Sequence, residues 1–479
     1  MTFMLKLQQN TKIQIKTPQQ LKAFMSENLT QKQINDLVKI KTPASRKMHL
    51  CQEGIILIDV LGQLKTLSEL ELNNNQIKDI SAIQNMTKMK RLDISSNQIS
   101  EIVPLKPLTI LEFLNACKNK LSTIDALSEL SKMKELDLSE NLIENIDSLA
   151  KMEALQILKL NKNQIQEISS LRGLQNITEL YLQSNKIISI DALKHLNTIY
   201  KLNLSNNSIS DLSPLKYLAQ LEELNISNNQ ISSLQDIENL LNLKNLFANS
   251  NQIEDLRPLK PLIWLQNLEL NSNKIYNIQP LIYLVSLCDI WLSSNKINTL
   301  PIFPENDKLN GIHFAFNQVC DLNPLSALNN LSNLNCEGNQ IIDISPLKYM
   351  SLYCINIMGN KVKNASKFSS QGYMKFYEYK GQKTQSDEDI DFYKRLKTIS
   401  SSQRVQFNYL HNKRQHYERR IKVQGSIHTV RYFLQKPKIS YGELKEKFLT
   451  GKTQITTKQM IVIQKLSYAA QLFVSMIEM

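Results

Sequence analysis

The sequence is poor in the residues and runs that mark fibrous, disordered, disulfide-bonded or membrane-spanning chains. Glycine and proline occur only 11 and 13 times in 479 residues, which excludes collagen-like and linker-rich chains. The six cysteines form no close C-x-x-C pair, so reduced thiols are expected and a disulfide or zinc framework is not. The most apolar late stretch, residues 460–476, is interrupted by Gln464, Lys465 and Gln471 and is too polar for a membrane span.

The amino terminus also lacks the pattern of a secretory signal. No uninterrupted apolar stretch follows a basic start, and no small-residue cleavage site is visible. We therefore expect a cytoplasmic protein, with the nucleus as the alternative location, and no membrane partner.

Signatures of catalysis are missing as well. No G-x-G-x-x-G occurs, and the segment Thr450-Gly451-Lys452-Thr453 has Glu446 where a phosphate-binding loop needs its first glycine. The six histidines include no H-E-x-x-H and no pair at metal-ligand spacing. We expect a protein that is not an enzyme, with no catalytic residues, no cofactor and no metal site.

What the sequence does contain is a repeat of 22 residues. Asparagine recurs thirteen times at a constant step, from Asn75 to Asn339. Apolar residues stand two, five and eight positions after each asparagine, and pairs such as Leu70 and Leu72 stand five and three positions before it. The unit L-x-L-x-x-N-x-I-x-x-I-x-x-L resembles the leucine-rich repeat, in which L-x-L is a short strand and stacked units share one core.

The resemblance implies an α/β fold class, a leucine-rich repeat solenoid with a parallel concave sheet. About fifteen coils are expected over residues 47–364. Twenty-two residues are too few for a strand and a long helix, and prolines seven positions after six of the asparagines predict short turns on the convex side. The asparagine amide is expected to point inward and to satisfy backbone groups at the turn.

The flanking regions lack the repeat. Residues 1–46 are predicted to form a helical N-terminal cap, because apolar residues recur at helical spacing over residues 18–40. Residues 365–479 are predicted to be a basic, mostly helical C-terminal region, with helices over residues 386–399 and 441–449 and from about residue 457.

The predicted binding face consists of the side chains that flank the inward leucines, six, four and two positions before each repeat asparagine. Early coils present acidic residues there, namely Glu69, Glu71, Asp93, Glu135, Asp137 and Glu179. The predicted partner-binding residues are Phe247, Glu269, Asp289, Trp291, His313, Tyr181, Phe113 and Glu179. Aromatic anchors beside carboxylates are typical of interface hot spots. The alternative is that loops or the C-terminal region cover these aromatic residues.

The net charge of +13 is distributed unevenly. Residues 1–46 hold 8 basic and 2 acidic side chains, residues 47–360 hold 26 and 33, and residues 361–479 hold 23 and 9. In the basic C-terminal region Lys413, Arg414 and Arg419 are interleaved with Phe407 and Tyr417, a mixture that can grip phosphates and stack on bases. A nucleic-acid partner is therefore one hypothesis for this region, and an ordinary charged helical face is the other.

The repeat is similar to a cytosolic class that includes the leucine-rich regulatory subunit of type-1 protein phosphatase, and more distantly to the repeats of bacterial internalins. The likeness covers about two thirds of the chain. Both families bind proteins through the concave sheet, which implies a protein-binding scaffold or regulatory subunit with a phosphatase as a candidate partner. The segment Arg404-Val405-Gln406-Phe407 also matches the short docking pattern of phosphatase partners, but docking needs an extended strand and this region is expected to be helical.

Overall fold

The computed structural model describes residues 47–52, 56, 58–304, 306–363, 375–376, 404–409 and 419–424. The chain divides into two compact units, Met1–Lys383 and Thr384–Met479. The predicted helical cap over residues 18–40 and the predicted helices over residues 386–399, 441–449 and from 457 lie outside the described residues. The domain boundaries drawn from the repeat stay predictions.

One parallel sheet of sixteen strands, in chain order, runs through the first unit. The strands are β1 (Lys47–His49), β2 (Glu69–Glu71), β3 (Arg91–Asp93), β4 (Phe113–Asn115), β5 (Glu135–Asp137), β6 (Ile157–Lys159), β7 (Glu179–Tyr181), β8 (Lys201–Asn203), β9 (Glu223–Asn225), β10 (Asn245–Phe247), β11 (Asn267–Glu269), β12 (Asp289–Trp291), β13 (Gly311–His313), β14 (Asn333–Asn335), β15 (Cys354–Asn356) and β16 (Lys375–Phe376). Strands β1 to β14 begin 22 residues apart, and β15 follows after 21. The predicted parallel sheet of a repeat solenoid is confirmed.

Each strand is short because only its middle residue and one further leucine point into the core. In β2, for example, Leu70 is buried between two half-buried glutamates, and Leu72 is buried just beyond the strand. The aliphatic residues two, five and eight positions after each asparagine are buried too, and one continuous core extends from Leu50 to Ile355. Each coil thus buries its apolar side chains against the coils on both sides.

The opposite side of each coil is a short 3-10 helix or an irregular turn, as the repeat length predicts. The helices are η1 (Asp59–Gln63), η2 (Ser81–Asn85), η3 (Val103–Leu105), η4 (Asp125–Leu127), η5 (Asp147–Leu149), η6 (Ser169–Gly173), η7 (Asp191–His195), η8 (Ser213–Tyr217), η9 (Gln235–Ile237), η10 (Arg257–Leu259), η11 (Gln279–Tyr283), η12 (Asn323–Leu325) and η13 (Ser345–Leu347). The six repeat prolines all stand at the second residue of such a helix, at Pro104, Pro214, Pro258, Pro280, Pro324 and Pro346. Proline fits there because its fixed φ suits the turn and it has no N–H that would need a partner.

The repeat asparagines form a hydrogen-bonded ladder at the turn after each strand. Asn141 is representative: its Nδ2 donates to the carbonyl oxygens of Ala116, Leu138 and Ser139 at 3.1, 3.0 and 3.2 Å, and its Oδ1 accepts from the N–H of Leu121 at 3.0 Å. The predicted inward amide is confirmed. Two of these contacts, to Ala116 and Leu121, join the coil to the preceding one, and the other two close the turn within the coil. The ladder therefore helps to fix the stacking that aligns the strands.

The second unit contains an antiparallel pair, β17 (Arg404–Tyr409) and β18 (Arg419–Gln424). Val405 lies opposite Val423, and Phe407 lies opposite Ile421. Arg404–Phe407 therefore belongs to a strand and not to a helix, and the prediction of a mostly helical C-terminal region is not otherwise tested by the described residues. Apolar and polar residues alternate along Arg404–Tyr409, which is the pattern of a strand.

Candidate functional site

The concave face comprises the side chains six, four and two positions before each repeat asparagine. The eight predicted binding residues all lie in the first two of these columns. They form a C-terminal group of five, Phe247, Glu269, Asp289, Trp291 and His313, and an N-terminal group of three, Phe113, Glu179 and Tyr181. The aromatic members are half-buried by their neighbours on the face, less exposed than the sequence predicts.

In the C-terminal group, the unshifted strand register places four side chains in a row. Phe247, Glu269, Trp291 and His313 are paired in succession from β10 to β13. The rings of Trp291 and His313 stack with their centroids 3.7 Å apart and their planes at 10°. Phe247 and Trp291 stand on alternate strands, about 10 Å apart at the usual strand spacing, with Glu269 between them.

Glu269 is the most buried member of this row. Only 8% of the residue is exposed, and its Oε2 accepts a hydrogen bond from Asn249 Nδ2 at 2.7 Å. The Glu269 carboxylate therefore lies low on the face, between the strands of Phe247 and Trp291, and its role in partner binding stays a prediction.

Beside this row, Gly311 leaves a notch in the face. A Cβ atom at Gly311 would lie 2.1 Å from Asp289 Oδ1 and 3.2 Å from His313 Nε2. Because Gly311 has no side chain, the Asp289 carboxylate and the His313 imidazole can both lie close to the place that a Cβ atom would occupy. Burial lowers the pKa of His313 to about 4, so the imidazole is uncharged at neutral pH and acts here as an aromatic partner for Trp291.

The middle of the face contains a second cluster around Glu179. Tyr181 donates a hydrogen bond to Glu179 Oε2 at 2.6 Å, and Tyr200 donates to Oε1. Burial opposes ionisation of Glu179, but these hydrogen bonds, together with Lys201 and Lys159, outweigh it and lower the pKa of the carboxyl. Lys159 and Lys201 also lie 6.0 and 5.9 Å from the centre of the Tyr181 ring. This cluster is therefore largely satisfied by its own chain.

The same holds for the N-terminal part of the face. Arg91 lies over the Phe113 ring, with its Cζ 4.1 Å from the ring centre. Several acidic residues of this part of the face pair with lysines of neighbouring strands, with Lys47–Glu69 at 2.5 Å, Lys159–Asp137 at 3.6 Å and Lys201–Glu223 at 3.2 Å. His49 Nδ1 lies 2.7 Å from Glu71 Oε2. The predicted acidic patch is thus interleaved with basic side chains from adjacent coils.

Phe316 is a candidate that sequence reasoning missed. It stands directly before Asn317, is 55% exposed and has a φ of 54°. A Cβ at Gly338 would come within 2.6 Å of its ring, so the ring lies against that glycine, at the rim beside His313. The signal was in the repeat: every other coil has a polar residue or glycine at this left-handed position, where a bulky side chain is strained.

A separate apolar surface lies away from the concave face, twelve and thirteen residues after successive asparagines. Leu241, Ile263, Trp264 and Val285 are 53%, 45%, 58% and 57% exposed. Most earlier coils have a polar residue at the first of these positions, such as Thr87. This surface was not predicted, and it contains the second of the two tryptophans.

The part of the chain that the structure describes contains neither a candidate metal cluster nor a candidate membrane-spanning helix. No group of three or more His, Cys, Asp or Glu side chains there could hold a metal ion. No helix among the same residues is long and apolar enough to cross a membrane.

Comparisons with known proteins agree with the fold. A family model described as leucine-rich repeats in two copies matches residues 65–107, 153–195 and 201–240. The chain therefore contains leucine-rich repeats. A search of curated protein sequences gave no significant match.

Solved structures of repeat proteins superpose on most of the chain. An internalin of Listeria monocytogenes is 26% identical with a TM-score of 0.57, covering 76% of this chain and 94% of that one. A leucine-rich repeat protein of Leptospira interrogans is 23% identical with a TM-score of 0.63, covering 71% and 98%. The repeat ectodomain of a plant membrane receptor kinase from Arabidopsis thaliana, solved in complex with Casparian strip integrity factor 2, is 20% identical with a TM-score of 0.55, covering 69% and 46%. These neighbours share the repeat solenoid.

Proposed function

We propose that the protein is a non-enzymatic scaffold or regulatory subunit that binds a protein partner on its concave face. The main observation in support is the row of Phe247, Glu269, Trp291 and His313 on adjacent strands. Its aromatic side chains are half-exposed on either side of the Glu269 carboxylate. Hot spots combine large aromatic side chains with a well-packed, partly desolvated setting. The stacked pair of Trp291 and His313 offers such a rigid anchor.

The shape of the site favours a macromolecule over a small ligand. The candidate residues spread over strands β4 to β13 of an open sheet, at about 4.8 Å per strand. Small molecules prefer enclosed, largely apolar cavities. The plant receptor neighbour was solved with its partner factor bound, which is consistent with a repeat solenoid serving as a binding surface.

The test is affinity capture from the source cell with two double variants. Phe247→Ala/Trp291→Ala removes the aromatic anchors of the concave face, and Trp264→Ala/Tyr283→Ala removes two exposed aromatics elsewhere. We expect the first variant to lose a specific protein while keeping its circular dichroism spectrum, because truncating a hot-spot aromatic costs about 2 kcal/mol or more. Retention of every captured protein by the first variant contradicts the proposal.

A narrower form of the proposal is a regulator of type-1 protein phosphatase. One observation favours it: Arg404–Phe407 lies in strand β17, the extended conformation in which such a motif docks. If the captured partner is the phosphatase, Val405→Ala/Phe407→Ala should weaken its binding. Unchanged binding would show that Arg404–Phe407 does not dock the phosphatase.

The expectations of a cytoplasmic location and of a nucleic-acid partner for the basic C-terminal region stay hypotheses. Nucleic-acid binding through that region predicts an affinity that falls steeply with salt. An affinity for oligonucleotides that stays constant between about 50 and 200 mM salt contradicts it.

A further inference from the structure

The apolar surface away from the concave face is formed by Leu241, Ile263, Trp264 and Val285. Leu241, Ile263 and Val285 occupy the same position in three successive coils, and Trp264 follows Ile263. The N–H of each of these three donates to the carbonyl oxygen two residues earlier, at 2.9, 2.9 and 3.1 Å. These tight turns hold the side chains outward, and 45–58% of each of the four residues is exposed. A contiguous set of exposed apolar residues marks an interaction surface.

A row of basic side chains lies next to this surface, nine residues after the repeat asparagines. The basic row consists of Arg172, Lys194, Lys216 and Lys260. Lys260 stands three residues before Ile263, and its Nζ lies 5.0 Å from the ring centre of Tyr283, which stands two residues before Val285. None of the four basic residues forms an ion pair with the residues that the structure describes. Their charges are therefore available to an external anion.

Together the basic row and the apolar surface are amphipathic and positively charged. In the six coils from Asn163 to Asn273, the positions nine, ten, twelve and thirteen residues after the asparagine hold four basic side chains and one acidic side chain, Glu238. Tyr217 and Tyr283 occupy two more of these positions and are 53% and 50% exposed. Exposed tryptophan, tyrosine and aliphatic residues beside lysines are the combination that proteins present to lipid headgroups.

We propose that this amphipathic surface binds an anionic lipid bilayer. The basic row lies on the headgroups, and Leu241, Ile263, Trp264 and Val285 enter the boundary between the headgroups and the acyl chains. Charge complementarity selects an anionic partner, because each lysine or arginine at such a bilayer increases affinity about fivefold.

Two other occupants fit the observations less well. An amphipathic helix of a protein partner docks in an apolar groove, whereas these apolar side chains project from the ends of turns. A second copy of the chain that presents the same surface would bring the two basic rows together, and like charges repel.

This contact needs no spanning segment. The expectation of no membrane partner follows from the lack of an apolar run long enough to cross a bilayer, but basic and apolar side chains at a surface are sufficient for peripheral binding. The inference goes beyond the proposed function, because the amphipathic surface lies away from the concave face.

The test uses the full chain with Trp291→Phe, which leaves Trp264 as the one tryptophan. Vesicles of phosphatidylcholine with about 30% phosphatidylserine are compared with vesicles of phosphatidylcholine alone. We expect the fluorescence of Trp264 to shift to the blue with the anionic vesicles only, and to be quenched when their acyl chains are brominated.

The readout at Trp264 is needed because the basic C-terminal region can bring the chain to anionic vesicles by itself. Vesicle association without quenching of Trp264 places the contact elsewhere and overturns the inference. Absence of vesicle association overturns it as well.

A pair of charge variants in the Trp291→Phe chain tests the basic row. Lys216→Gln/Lys260→Gln is expected to weaken binding to the anionic vesicles at least about tenfold, because it removes two charges from the contact. The matched control, Lys78→Gln/Lys120→Gln, removes two exposed lysines from other positions of early coils and should change binding less than about twofold. Equal weakening by both variants overturns the inference, since it reports only the net charge.

A pair of apolar variants tests insertion in the same way. Leu241→Ser/Ile263→Ser is expected to weaken binding about tenfold or more, because two apolar side chains no longer leave water. The matched control is Val103→Ser/Ile188→Ser, which changes two residues that are 65% and 68% exposed at other positions of their coils. Circular dichroism checks the fold of every variant, and binding that is equally strong in both variants overturns the inference.

The inference and the proposed function can fail separately. Phe247→Ala/Trp291→Ala changes the concave face and leaves the amphipathic surface intact, so loss of the captured protein is independent of vesicle binding. Vesicle binding through Trp264 likewise stands if capture is unaffected by the concave-face variant.

Discussion

Replacing one asparagine of the ladder should destabilise the solenoid far more than replacing an asparagine of the face. Asn141→Ala removes an acceptor for the Leu121 N–H and the donors to three carbonyl oxygens of two coils. Leu121 and Ala116 are fully buried, so water does not replace the lost bonds. At about 1–3 kcal/mol for each buried group left without a partner, the free energy of unfolding should fall by about 3 kcal/mol.

The assay is urea unfolding of the full chain followed by far-ultraviolet circular dichroism. The matched control is Asn161→Ala, since the Asn161 side chain accepts one hydrogen bond, from Ser139 Oγ at 2.7 Å, and is half-buried on the face. That control should cost less than about 1 kcal/mol. Equal losses for the two variants would refute the assignment of stability to the ladder.

A second substitution separates the donor from the acceptor role. Asn141→Asp keeps an oxygen that can accept from Leu121 N–H but places a carboxylate beside the carbonyl oxygens of Ala116 and Leu138. We expect it to destabilise at least as much as alanine at pH 7, because a buried charge then faces acceptors without a donor. Stability near that of the native chain would show that the three carbonyl contacts contribute little.

Further predictions concern the rim and the notch of the C-terminal group. Phe316→Asn should raise the free energy of unfolding by about 1 kcal/mol, because asparagine tolerates the φ of 54° better than phenylalanine; a loss of stability in urea unfolding would contradict strain there. Burial lowers the pKa of His313 from 6.5 to about 4 in the folded chain, which favours its neutral form. The free energy of unfolding should therefore fall by about 3 kcal/mol as the pH drops from about 6.5 to about 4, and His313→Gln should abolish this fall. Parallel pH profiles of unfolding for the native chain and the variant would refute the prediction. Gly311→Ala should displace the Asp289 carboxylate, whose Oδ1 would lie 2.1 Å from the new Cβ, and should weaken partner binding. The free energy of unfolding should change by less than about 1 kcal/mol, because the Asp289 side chain is flexible and can move aside. Unchanged partner affinity would contradict a role for the notch.

The solenoid could be predicted from sequence because its rule is local and repeated. Because the step between asparagines is always 22, equivalent residues such as Leu70, Leu92 and Leu114 pair on adjacent strands, and the repeat alone determines the strand register. The same step predicts which residues share a face. That is why all eight predicted binding residues lie on the concave sheet.

The details of the face depend on contacts between coils that the repeat does not specify. Glu269 and Glu71 occupy equivalent positions in their coils, yet the first is buried under Asn249 and the second contacts His49. The half-burial of Trp291 arises from its stacking on His313. Predicting such differences requires the side chains of three neighbouring coils at once.

Outside the repeat, periodicity over short segments was a poor guide. The residues from Arg404 to Tyr409 alternate in polarity, and they form a strand paired with Arg419–Gln424 inside a region predicted to be mostly helical. Phe316 was not predicted because it stands at the left-handed position before the asparagine and not at an outward-facing strand position. An aromatic residue at a position that otherwise has small or polar residues was the available signal.

The most direct test of the central claim is photo-crosslinking in the source cell. A benzophenone amino acid is placed at position 247, on the concave face, and separately at position 264, on the exposed apolar surface away from it. We expect a discrete crosslinked protein from position 247, lost when Trp291 is changed to alanine, and no such product from position 264. Crosslinking from position 264 alone would contradict it and would move the binding site off the concave face.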